Sequence, residues 1–139
     1  MVSLGAFAIN GMQLVAIASV SLVNMTLSWI PALGGDAVTL QRLFAYVFRP
    51  IMWLIGVPTQ DIVAASGLMA TKTVLNEFIA YVDLSKMPGD AISAHTRLIL
   101  TYAMCGFANF GSAGIMIGGM SAMAPQRKHD IVGLGLRSI

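Results

Sequence analysis

Apolar residues run along this chain in long blocks rather than in alternation. From Val2 to Ile30 there is no charged residue, and Asn10, Gln13 and Asn24 are its amide positions. That block exceeds the roughly 20 residues an α-helix needs to cross hydrocarbon. It predicts a first span over about 2–30, with Trp29 at the end where an interfacial aromatic belongs. The stretch "PALGGD" then breaks the helix at Pro31, Gly34 and Gly35. Leu40 to Val57 is a second apolar segment, carrying Arg42 and Arg49 and interrupted by Pro50. "GVPTQD" follows as a turn in which Thr59 or Asp61 is placed to cap a new helix. The third segment, Ile62 to Leu84, is apolar but contains Lys72, Glu77 and Asp83.

The second and third segments are short or polar for ordinary spans. They predict a re-entrant helical hairpin over about 40–84, turning around Val57 to Asp61, its irregular backbone sheltered by protein or a wet cavity. Two full spans are the alternative. A polar connector, "SKMPGDAISAHTR", covers 85–97. Leu98 to Ala124 is again uncharged and predicts a discontinuous span over about 98–124, ended by Pro125. The tail, 125–139, holds Arg127, Lys128 and Arg137, and the positive-inside rule puts it in the cytoplasm; Lys86 and Arg97 on the opposite side pull the other way. The fold class expected is an all-α polytopic membrane protein of broken helices and a re-entrant helical hairpin.

Composition narrows the function classes. Charged residues are 10% of the chain, against about 25% in an ordinary soluble domain, and mean hydropathy is +0.80. Too few charges remain to cover a soluble surface. Lys and Arg are scattered singly except in "QRKHD", so no basic stripe points to nucleic acid. Cys105 is the sole cysteine, which excludes an intrachain disulfide, and its apolar run predicts a packing role. With His95 and His129 far apart, there is no metal-ligand spacing. No phosphate-cradling motif and no nucleophile–base constellation appears, so neither an enzyme nor an ATP-driven pump is expected, and no cofactor. The N-terminus lacks the basic start of a signal peptide, and its apolar run is too long for one.

Against that apolar background two polar constellations stand out. Glu77 is the only glutamate in the chain. A carboxylate at membrane depth costs several kcal/mol unless it pairs or faces water, and the usual reason to keep one is a binding site or pathway. Thr73 and Tyr81 lie four residues to either side, so a continuous helix would carry a polar strip. A structural pairing with Lys72 is the competing explanation. The second constellation is "CGFANFGSAGIMIGG", Cys105 to Gly119. Asn109 and Ser112 are three apart and share a helical face, Phe107 is suited to wall a pocket, and Gly106 and Gly111 ease unwinding or close approach. Gly111, Gly114 and Gly118 form a ridge of the kind that packs another helix. A carboxylate, an amide and a hydroxyl in two broken segments suit a neutral polyhydroxylated solute, because each unmade hydrogen bond in a buried site is costly.

Three blocks resemble the C-terminal half of the concentrative nucleoside transporters: "LFAYVFRPIMWLIGVP", "GVPTQDIVAASGLMATKTVLNEFIAYVDLS" and "CGFANFGSAGIMIGGMSAMAPQRKHDIVGLGLRSI". The resemblance implies a homotrimer in the lipid bilayer of the cytoplasmic (inner) membrane, importing nucleosides on a sodium or proton gradient. It implies that Glu77 of "NEF" and Asn109 of "GFAN" bind ribose hydroxyls, that Phe107 lines the site, and that Ser112 holds the ribose end. Where the family often has a first serine after this block, Gly111 stands here. The family's additional spans, its nucleobase-reading "GQTE"-like hairpin and its last span have no counterpart in these residues. The chain is therefore expected to be a partial transporter core, truncated at both ends and inactive alone. A small helical membrane scaffold without transport activity is the alternative. A channel would want repeated filter groups, and none is present.

Overall fold

The computed structural model describes residues 2–29, 37–106, 108–135 and 137; in the first helix, side chains are described at positions 14, 15 and from 17 onward. The described residues form helices and no strands. In order they are α1 (Val2–Leu27), α2 (Leu40–Leu54), α3 (Ile62–Val74), α4 (Glu77–Lys86), α5 (Ala94–Ala103), α6 (Phe110–Met123), a 3₁₀ turn (Pro125–Arg127) and α7 (Lys128–Gly135). The break expected at Pro31, Gly34 and Gly35 lies outside the described residues. Among the described residues no helix is both long and apolar enough to cross a membrane by itself.

Two features differ from the pattern read off the sequence. Pro50 does not interrupt the second segment: α2 runs through it, from a Thr39 cap whose side chain accepts from Arg42 N–H to Leu54. Proline removes one donor from the ladder, and a helix well packed against a neighbour tolerates that loss. Conversely, the third segment is not one helix. It breaks at Leu75 and Asn76, where α3 ends and α4 begins. The break is made by Asn76, whose Oδ1 accepts from the Ile79 N–H at 2.9 Å. An asparagine in extended conformation with a short polar acceptor caps a new helix better than it continues an old one.

The core lies where α2, α3, α4 and α5 meet. Met52, Ala65, Leu68, Ala80, Leu100 and Met104 are all buried there. At one end of this cluster, Asp61 ties the start of α3 to the start of α5. Its Oδ2 accepts from Ser93 N–H at 3.0 Å, the Ser93 hydroxyl at 2.8 Å and the Thr96 hydroxyl at 2.6 Å. Asp61 makes no side-chain cap to its own helix. These hydrogen bonds, Thr96's first, hold its carboxyl below the ordinary value of 3.8 against the opposing effect of burial. Arg97 donates to the carbonyls of Leu84 and Pro88 at 3.1 and 3.2 Å, closing the end of α4 at the same connector. Thus the entry to α3 and the exit from α4 are both fastened to the connector that leads into α5.

Large apolar side chains stand exposed on every helix whose outer face is described. Leu14, Leu22 and Trp29 near α1, Trp53 and Leu54 on α2, Phe78 on α4, Tyr102 on α5 and Met123 on α6 are examples. Soluble monomers rarely leave so much contiguous apolar surface uncovered. Cys105, expected to pack, is exposed.

Candidate functional site

The breaks at 75–76 and 104–109 are brought together. Each ends in an asparagine cap. Asn76 starts α4, and Asn109 starts α6 through a reciprocal capping box with Ser112. Asn109 Oδ1 accepts from Ser112 N–H at 2.7 Å, while the Ser112 hydroxyl oxygen accepts from Asn109 N–H at 3.4 Å. The box satisfies two helix-end donors at once. It leaves the amide group of Asn109 pointing across to the other break, where Nδ2 donates to Glu77 Oε2 at 2.8 Å.

Glu77 is the first residue of α4. Its carboxylate therefore sits at the positive end of the helix dipole, which favours an anion. It is half-buried, whereas Asn109 is 1% exposed. The competing pairing of Glu77 with Lys72 is not what the structure contains, because the Lys72 ammonium donates instead to the Ala108 carbonyl at 3.0 Å. One carboxylate oxygen is held by a neutral amide, and a carboxylate can accept more hydrogen bonds than one.

Of the residues expected to act together, Glu77, Asn109 and Ser112 converge. Phe107 lies outside the described residues. The polar strip of Thr73, Glu77 and Tyr81 is dispersed by the break. Thr73 donates back to the Met69 carbonyl at 2.9 Å, and Tyr81 donates to the Thr101 carbonyl at 2.6 Å, fastening α4 to the last turn of α5. Gly111 has a specific job. A Cβ there would lie 3.3 Å from Asn109 Oδ1 and 3.5 Å from the Leu75 carbonyl, so its missing side chain lets the two breaks approach. Farther along, a Cβ on Gly135 would overlap the Ile117 side chain, so that glycine seats α7 on α6.

Lys72 and Asn76 have roles that the sequence pattern does not assign. For Asn76 a usable signal exists, an Asn–Glu pair opening an apolar run, which is the pattern of a capped helix start with an acid in its first turn. For Lys72 there is none, because its partner is 36 residues away.

An all-helical fold with discontinuous helices and polar side chains at the breaks defines the class of membrane-transporter cores. The chain belongs to the family described as "Na+ dependent nucleoside transporter C-terminus", whose pattern matches residues 3–139. It is 40% identical over 132 residues to "Uncharacterized transporter YutK" of Bacillus subtilis, covering 94% of this chain and 32% of that protein. Human "Sodium/nucleoside cotransporter 1" is 39% identical over 142 residues, covering 88% of this chain and 21% of that protein. Among solved structures, a variant of CNTnw in an intermediate state superposes with a TM-score of 0.84 at 35% identity, covering 96% of this chain and 34% of that one. The chain thus spans about a third or less of the length of these relatives. Among the described residues no cluster of His, Cys, Asp and Glu could hold a metal ion.

Proposed function

We propose that this chain supplies the ribose-facing half of a nucleoside-binding site in a cation-coupled nucleoside symporter of the cytoplasmic membrane. The observation that carries the reading is the 2.8 Å hydrogen bond from Asn109 Nδ2 to Glu77 Oε2, made where the N-termini of α4 and α6 meet. Vicinal hydroxyls of a ribose need an acceptor that outcompetes water and a donor beside it. Glu77 supplies the first and Asn109 the second. Ser112 and Phe107 complete the set, the one as a hydroxyl at the ribose end and the other as a wall. An oxygen-rich neutral ligand is favoured over an anion, because the group at the centre is a carboxylate.

In this reading α3 and α4 are the arms of the re-entrant hairpin, with Leu75–Asn76 as its tip at membrane depth. The tip thus falls later in the chain than the Val57–Asp61 turn expected from the sequence. The α5–α6 pair crosses as two half-helices in series. The exposed apolar side chains face lipid or other transporter segments, including neighbouring copies in a homotrimer. Sodium is the preferred coupling ion, since the human relative is a sodium/nucleoside cotransporter by name. A membrane scaffold without transport would have no need for a carboxylate tied to the cap of a neighbouring half-helix.

The test is uptake of labelled uridine into proteoliposomes by a complete family transporter in which residues 1–139 replace the matching segment. Sodium-gradient-driven uptake that survives the replacement and is abolished by Glu77→Ala is the expected result. Uptake unaffected by Glu77→Ala would remove this site from the transport path.

A further inference from the structure

Lys72 is the group the site description leaves unexplained. It projects from α3, is 5% exposed, and donates to the Ala108 carbonyl at 3.0 Å. Its Nζ lies 3.9 Å from where a Cβ on Gly106 would stand, so a glycine there leaves room for the ammonium. Burying a cation is costly without compensation. The described acids do not supply it. Glu77 is turned to Asn109, Asp61 to Ser93 and Thr96, and Asp130 to Arg127, while Asp83 and Asp90 are exposed.

Compensation comes from the break itself. α5 ends at Ala103, where the Leu100 and Tyr102 carbonyls accept from the Met104 and Cys105 N–H groups and the Thr101 carbonyl from Tyr81, and the break that follows lies at the negative end of the helix dipole. The Ala108 carbonyl belongs to the irregular segment that follows, one residue before Asn109. Carbonyls freed by a helix break are the kind of oxygen set that holds a monovalent cation in transporters with discontinuous helices.

We propose that Lys72 is a tethered resident cation of the α5–α6 break. Its ammonium fills the place a free monovalent cation would otherwise take. By gripping the Ala108 carbonyl it sets the position of Asn109, and through Asn109 the orientation of Glu77. Lys72 is then a positioning residue, contributed by the hairpin arm, that locks one break to the other. The group at this break is covalently tethered, so an exchangeable coupling ion binds elsewhere.

The affinity readout of this idea rests on the nucleoside reading; a second readout does not. In the same full-length hybrid, with Cys105 as its sole thiol, Lys72→Arg, Lys72→Met and Lys72→Ala are compared by the rate of Cys105 maleimide labelling and by uridine Kd. Cys105 is exposed and adjoins Gly106 in the break. Lys72→Arg is expected to stay within about threefold of the unaltered protein, and Lys72→Met to weaken uridine binding about tenfold or more, as loss of a charged hydrogen bond requires. Labelling should change in Lys72→Met and Lys72→Ala alike. Millimolar propylammonium should restore Lys72→Ala towards the unaltered values but leave Lys72→Met unchanged, since methionine fills the space. A Lys72→Met protein indistinguishable from the unaltered one in both readouts would overturn the proposal. So would a folded Lys72→Ala protein that propylammonium does not restore. If Lys72→Ala folds poorly, propylammonium-dependent recovery of folded yield supports the proposal and independence from it overturns it. If no hybrid binds uridine, the nucleoside reading fails, and labelling with its amine rescue still decides the role of Lys72.

Discussion

Replacing Glu77 by glutamine changes one atom's chemistry and almost no volume. In the native arrangement one carboxylate oxygen accepts from Asn109 at 2.8 Å. Glutamine can keep that bond by turning its carbonyl towards Asn109, but its NH₂ then faces the ligand. On the proposed function, a ribose hydroxyl that found an acceptor in the native protein would meet a donor. A hydrogen bond to a charged group contributes about 1.5–3 kcal/mol net, which corresponds to about a 10- to 150-fold rise in Kd. Folding is expected to change little. The loss of an acid at the start of α4 costs about 0.3–1 kcal/mol, and removing a partly buried charge offsets some of it. The assay is equilibrium binding of uridine, 2′-deoxyuridine and 3′-deoxyuridine to the hybrid transporter and, in parallel, to its Glu77→Gln variant. The unaltered protein should discriminate against whichever deoxy analogue lacks the hydroxyl Glu77 accepts from, and Glu77→Gln should lose most of that discrimination, as in a double-mutant cycle with one arm on the ligand. Identical uridine-to-deoxyuridine ratios in the two proteins would refute the claim that Glu77 reads the sugar.

Two further outcomes follow from the same geometry. Asn109→Asp keeps the cap on α6, since aspartate is as good a capping residue, yet it sets a second carboxylate against Glu77 Oε2; the melting temperature should hold while uridine affinity at neutral pH falls about tenfold or more, given the cost of like charges at this range, and unchanged affinity would be the contrary result. Asp61 has a folded pKa depressed below its ordinary value of 3.8, so its hydrogen bonds to Ser93 and Thr96 stabilise the fold fully above that pH and progressively less as pH falls through the depressed value. Thermal melts from pH 7 to pH 2 should therefore show an acid-induced loss beginning near pH 4 that is smaller in Asp61→Asn, and parallel profiles for the two proteins would count against this role.

Much of the site is visible in the residues without the fold. An isolated glutamate in an apolar block is conspicuous because its burial must be justified, and Asn109 and Ser112 share a helical face by spacing alone. Their mutual use as a capping box is less visible, because an i, i+3 pair reads the same whether it serves a ligand or a helix end. The break at Leu75–Asn76 escapes the pattern for a related reason. Neither glycine nor proline marks it, and the hydrophobic pattern continues across it, so only the capping chemistry of Asn76 distinguishes a new helix from the old one. Pro50 misleads in the other direction, since a strong local breaker is overridden by packing of α2 on α3. The partners of Asp61 and Lys72 are out of reach, at separations of 32 to 36 residues. Long-range pairing of that kind has no periodic trace in a single chain.

The double duty of Asn109 has a consequence for how such a site can open. One face of its amide nucleates α6, and the other face grips Glu77. Fraying of the first turn of α6 loosens the residue that holds Glu77, and a pull on Glu77 acts on the residue that caps α6. Helix capping and site assembly thus share one side chain. On the proposed function, a ligand held by Glu77 would bear on the cap of a helix it need not touch, and movement of the α3–α4 tip away from α6 would strain that cap. On that reading no separate latch between the two broken helices is required, because the residue that joins them also caps one of them.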